Sequence, residues 1–137
     1  HITLPSKEGM KAVMNEAMRR AGVTDVGYIN AHATATRQGD IAESEAIFEL
    51  FGDKVAVSST KGYTGHMFGG ADAIESIITI AALTKDFLPA NMNLDKVSDD
   101  CAKLDYILSH RDAKINAAIN NNFAFGGINT CLVFSKI

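Results

Sequence analysis

The sequence predicts an α/β fold built on a mixed sheet, and three observations carry that prediction. Short β-branched or apolar runs alternate with helical periodicities along the chain. The strands expected over 26–31 and 55–57 each run straight into a polar loop, which is how the ligand edge of an open α/β sheet is made. The last part reads as two strands about a Gly126-Gly127 turn, adding an antiparallel pair to the sheet.

Ser6 is placed to cap the first helix and Gly22 to stop it. Between them Met10, Val13, Met14, Ala17, Met18 and Ala21 recur at three- and four-residue steps, one apolar stripe that reads as packing. Arg19 and Arg20 fall in the last turn, where positive charge suits the helix dipole. After the strand over 26–31, Asp40-Ile41-Ala42-Glu43 reads as a helix start with a capping box. Ala42, Ala46, Ile47 and Leu50 turn inward on this second helix, and Glu43, Glu45 and Glu49 read as its solvated face. A third long helix is expected over 70–83. It is apolar nearly all round, with Ile74, Ile77, Ile78 and Ile80, and a helix of that kind is buried. An extended crossing at 89–94, a polar surface stretch at 95–103 and a short edge strand at 104–108 precede the terminal hairpin.

With 137 residues, the chain has the length of one domain. A net charge of -3 without any basic block excludes a nucleic-acid surface. Cys101 and Cys131 are too far apart for a ligand pair, so neither a disulfide scaffold nor a zinc site is expected, and the usage fits a reducing compartment. No apolar run reaches membrane-spanning length, and the start carries no secretion-signal pattern.

Chemistry concentrates in Ser58-Ser59-Thr60-Lys61-Gly62-Tyr63-Thr64-Gly65-His66, a polar loop between a buried strand and an apolar helix. Glu75 lies inside that helix. A buried carboxylate without a partner costs roughly several kcal/mol, so Lys61 is expected to pair with it. The alternative is a Glu75 facing solvent from the helix's first turn. Since the loops after both strands share one sheet edge, His32, Lys61 and His66 are expected to converge. A two-histidine metal module is the weaker reading, because no third ligand has convincing spacing.

Three loops carry the distinctive motifs of the chain. The first is Asn30-Ala31-His32-Ala33-Thr34-Ala35-Thr36, followed by Gly39-Asp40 and Glu43. The second is the stretch ending at His66, with Glu75 nine residues on. The third is Asn121-Asn122-Phe123-Ala124-Phe125-Gly126-Gly127-Ile128-Asn129. These loops, taken together, resemble the C-terminal half of the β-ketoacyl-acyl carrier protein synthases, the elongating condensing enzymes of the thiolase-like fold, close to the synthase II type. Pro89, Asn93-Leu94 and His1-Ile2-Thr3-Leu4-Pro5 match further pieces. The resemblance covers residues 1–137 in order, as one C-terminal synthase domain. The chain departs from the family pattern at Ala33 and Ala124, where glycines are usual, at Arg37, where proline is common, and at Asp72, where a small residue is usual.

The resemblance implies decarboxylative condensation of an acyl thioester with malonyl carrier protein, in fatty acid biosynthesis. It implies His32 and His66 as the donors to the enolate, and Lys61 with Glu75 as organisers. It implies the Phe125 backbone N–H in the acyl oxyanion hole, with the Phe125 ring as gate to the acyl pocket. Thr34, Thr36 and Thr3 would hold the pantetheine, and Phe123, Gly126 and Gly127 would shape the substrate side. No cofactor or metal is implied; the substrates ride on the phosphopantetheine of acyl carrier protein. The family's nucleophilic cysteine belongs to the N-terminal half, so this stretch reads as a fragment that would not condense alone. The intact enzyme would be a homodimer, cytoplasmic or else mitochondrial or plastid. The alternative is a non-catalytic partner subunit of the chain-length-factor type, which keeps the fold and lacks the cysteine.

Overall fold

The computed structural model describes residues 4–136, in which helices and strands alternate before a closing hairpin. Helix α1 spans Lys7–Ala21 and helix α2 spans Arg37–Phe51. A single turn α3 occupies Lys61–Thr64, and helix α4 spans Ala71–Lys85. The strands are β1 (Tyr28–Asn30), β2 (Ala56–Ser58), β3 (Phe87–Leu88), β4 (Asp105–Tyr106), β5 (Arg111–Asp112), β6 (Ala117–Phe123) and β7 (Asn129–Ser135). The main sheet has the order β4-β2-β1-β6-β7. Strands β4, β2, β1 and β6 run parallel, and β7 returns antiparallel to β6.

Register explains how one sheet carries two cores. Ile29 pairs with Val57 and Ile119, and this row packs under Met10 and Met14 of α1 and Ala46 and Ile47 of α2. One residue earlier Tyr28 pairs with Ala56 and Ala118, and this row packs on Ala82 and Leu83 of α4. One residue later the row becomes Asn30, Ser58 and Asn120, all fully buried and polar. Strands β1 and β2 therefore end at this polar row, while β6 runs on to Phe123 beside β7.

Local chemistry behaves as the sequence predicts at α1. Ser6 Oγ accepts from Gly9 N at 3.2 Å, and Gly22 leaves the helix left-handed at φ 65°. Helix α2 differs from expectation. It starts at Arg37, with Asp40 N already donating to Thr36 O, so Glu43 takes no part in a capping box. Nor is Glu43 solvated: it is 3% exposed, while Glu45 and Glu49 meet Lys7 and Lys11 at the surface. Burial of α4 is one-sided. Ala71, Glu75, Thr79, Ala82 and Leu83 face the sheet, but Ile74, Ile77 and Ile80 stay exposed because no element among the described residues covers them. The edge strand expected over 104–108 is present as β4, whereas the small β3–β5 ribbon has no counterpart in the sequence reading.

Candidate active site

Each parallel strand of the central trio delivers one loop to the same edge. The loop after β1 carries His32, the loop after β2 carries Lys61 and His66, and β6 leads into Phe125. His32 and His66 meet there, edge to face, with ring centroids 5.7 Å apart. Phe123, itself buried, sets its ring edge against the other side of His32 at 6.0 Å. His66 stacks on Phe68 at 5.1 Å. Phe68 holds a left-handed backbone at φ 47°, a conformation that a bulky side chain rarely adopts and that is found mostly where function constrains the chain.

The histidine loop is pinned from beneath by Glu43. Its carboxylate accepts from His32 N at 2.9 Å and from Ala33 N at 2.8 Å, and Asn121 Nδ2 adds a longer contact. Burial pushes this carboxyl up to about 7, against the pull of those donors and of Lys61. The sequence held a signal for this role. Glu43 precedes Ala46 and Ile47 by three and four residues, which places it on the buried stripe of α2.

Lys61 and Glu75 form the expected pair, Nζ to Oε1 at 2.5 Å, with Glu75 fully buried. The solvent-facing alternative for Glu75 is thereby excluded. Asn122 Nδ2 donates to the second carboxylate oxygen at 3.0 Å. Asn30 supports the same point from the end of β1: its Nδ2 reaches Thr60 Oγ1, Thr79 Oγ1 and the Glu75 carbonyl. The Lys61 loop is held on its outer side by Asn91, whose Oδ1 accepts from Ser59 N and whose Nδ2 donates to Val57 O.

His32 is the perturbed base of the group. Burial, then the Lys61 ammonium, then His66 lower its pKa to about 4. Its Nδ1 is buried without a hydrogen-bond partner. An imidazole in an unfolded chain takes up its proton near 6.5, and the folded chain resists until about 4. The folded state therefore loses stability through this group as pH falls from about 6.5 toward 4. Histidine NMR on the folded protein is expected to show His32 neutral at pH 5.5. A midpoint near 6.5 at this ring would contradict the placement.

The remaining residues fall as follows. Phe125 is 75% exposed and opens a short 3-10 turn, Phe125–Gly127, with φ near 79° at Gly126 and 76° at Gly127. Both values lie in the region glycine adopts freely, so the turn depends on this pair. Thr34 and Thr36 hydroxyls are hydrogen-bonded to each other at 3.2 Å. A cavity of about 540 Å³ opens beside Thr34, lined also by Ala33, Glu43, Lys61, His66 and Met92. Thr3 lies outside the described residues. Among the described residues, no three His, Cys, Asp or Glu side chains are grouped to hold a metal ion, and no helix is long and apolar enough to cross a membrane.

Comparisons with known proteins bear on the family and the fold. Residues 1–95 match the family model of the beta-ketoacyl synthase C-terminal domain. The chain belongs to this family. It is 41% identical over 145 residues to 3-oxoacyl-[acyl-carrier-protein] synthase 2 of Coxiella burnetii, a match covering 100% of the chain and 35% of that relative. It is 37% identical to synthase 1 of Escherichia coli, over 99% of the chain and 34% of the relative. Among solved structures, a β-ketoacyl synthase from Burkholderia phymatum superposes with a TM-score of 0.97 at 38% identity, covering 100% of the chain and 34% of that protein. The structure of the ketosynthase ApeO in complex with its chain length factor ApeC, from Xenorhabdus doucetiae, holds a chain that matches at 34% identity and a TM-score of 0.92, over 100% of this chain and 36% of that chain. The synthase domain described here thus has the thiolase-like fold of the condensing enzymes, and it spans about 35% of the length of the curated relatives it matches.

Proposed function

We propose that the full-length protein is a 3-oxoacyl-[acyl-carrier-protein] synthase and that this chain supplies the two-histidine part of its active site. The observation that carries the reading is the meeting of His32 and His66 at 5.7 Å, on adjacent loops, beside a buried Lys61–Glu75 pair. Decarboxylation of a malonyl thioester breaks the carbon–carboxylate bond and leaves its electron pair on an enolate, with negative charge on the thioester oxygen. Two imidazole N–H donors fixed at one point stabilise that charge without reorganising. A His32 that stays neutral suits this task, since it donates without adding a titrating charge. The enolate carbon then attacks the acyl thioester on the enzyme's nucleophile, and the carbonyl oxygen takes up charge near the exposed Phe125 turn. There the Phe125 backbone N–H is one oxyanion donor. Collapse of that oxyanion to the 3-oxoacyl product breaks the carbon–sulfur bond and expels the thiolate.

The nucleophile that receives the acyl group is assigned to the part of the protein that the relatives have beyond this stretch. That part also covers the open apolar residues Ile77, Phe125 and Ile128. The phosphopantetheine arm of acyl carrier protein enters along Thr34 and Thr36 at the cavity mouth. The full-length enzyme, as a homodimer, is expected to release CO2 from malonyl carrier protein and to form 3-oxoacyl carrier protein when given an acyl donor. A full-length protein that does neither would contradict the reading and leave the partner-subunit role.

A further inference from the structure

One residue that the sequence marks as a departure has an organised environment of its own. Asp72 stands in the first turn of α4, three residues before Glu75. The alternation of β6 turns Asn120 and Asn122 toward it, while Asn121 turns the other way, to Glu43 and Met14. Asp72 Oδ1 accepts from Asn120 Nδ2 at 2.8 Å and from Asn122 Nδ2 at 3.4 Å. The Asp72 carbonyl and Ser76 Oγ also take up the Asn120 amide, which is fully buried. Asn122 Nδ2 then reaches Glu75 Oε2 at 3.0 Å, and Glu75 Oε1 holds Lys61 at 2.5 Å. One amide thus bridges two carboxylates, and the chain Asp72–Asn122–Glu75–Lys61 ends beside the histidines.

We propose that Asp72 is a positioning residue for the Lys61–Glu75 pair, acting through the side-chain amide of Asn122. The proposal rests on the function given above. An Asn side chain can rotate about its terminal torsion and exchange its oxygen for its nitrogen. Two acceptors, one on each carboxylate, leave it only the orientation with nitrogen toward α4. With Asp72 removed, that orientation loses one of its two anchors, and Glu75 loses a fixed donor. The Lys61 ammonium then keeps its charge partner but not its place. Asp72 touches no reacting atom, so its effect should appear in the decarboxylation turnover rather than in substrate affinity.

The test uses the full-length protein carrying Asp72→Ala, Asp72→Asn and Asn122→Ala, alone and combined. Asp72→Ala is expected to lower kcat for malonyl decarboxylation by about tenfold, the size of one lost hydrogen bond to a charged group, with KM unchanged. Asp72→Asn, which keeps one acceptor oxygen, should recover most of that loss. In the Asn122→Ala background, Asp72→Ala should add less than about twofold, because the path it uses is already cut. A crystal structure of the Asp72→Ala enzyme should show the Asn122 amide shifted off Glu75, with the 3.0 Å contact lengthened beyond hydrogen-bond distance. The proposal is overturned if the Asp72→Ala loss persists in full in the Asn122→Ala background, or if Asn122 stays on Glu75 in the variant structure. A parent enzyme that fails to decarboxylate malonyl carrier protein would refute the assigned function instead, and the variant structure would still decide the role of Asp72.

Discussion

Replacing His66 by alanine in the full-length enzyme should abolish malonyl decarboxylation while leaving acyl transfer largely intact. Removal of one preorganised donor costs about 3–4 kcal/mol of barrier, on the order of a hundred- to thousandfold in rate. The structure sharpens why the effect should be selective. His66 is exposed, stacked on Phe68 and edge-on to His32, so its truncation opens no cavity in either core. A purely structural histidine would lower thermal stability and depress both half-reactions together. Separate assays of acyl transfer and of CO2 release, with a thermal melt, distinguish the two. Decarboxylation at the parent rate in His66→Ala would contradict the donor role.

Lys61→Ala should fail in a different way. It leaves Glu75 fully buried without its cation, and breaking a buried pair from one side costs about 3–5 kcal/mol. Glu75 then either stays charged at that cost or takes up a proton, and in both cases the anchor of the loop is lost. The expected outcome is a lower melting temperature together with loss of decarboxylation, in contrast to the clean kinetic lesion at His66. Glu75→Ala should reproduce it, since it strands the ammonium instead. A Lys61→Ala enzyme that melts with the parent would show that the pair is not what holds this loop.

Much of the fold was legible because period and burial agree. The α1 stripe of Met10 and Met14 is buried as its spacing requires, and Ser6 and Gly22 end the helix by their own chemistry. The Lys61–Glu75 pair was legible because a carboxylate inside an apolar helix demands a partner. Glu43 was misread because its neighbours Glu45 and Glu49 reach the surface to pair with Lys7, and a run of acids looks uniform until the helical stripe is followed through it. Asn30 at the end of β1, and Asn120 and Asn121 within β6, are fully buried struts, and nothing in their type separates a strut from a turn. The β3–β5 ribbon has two residues per strand, too few to display a period. Phe68 has a backbone that its side chain disfavours, so propensity argues against the conformation it adopts. The exposed face of α4 was hidden from a reading of the chain alone, because an apolar helix looks the same whether or not its cover lies within the stretch.

Whether His32 and His66 serve one oxygen is read from a double-mutant cycle on CO2 release from malonyl carrier protein. Each single alanine variant should fall by about a hundred- to thousandfold. The double variant should fall by little more than either, because the two donors act as a unit on one charge. Losses that multiply in full would mean that the histidines act at separate steps and do not share one oxygen.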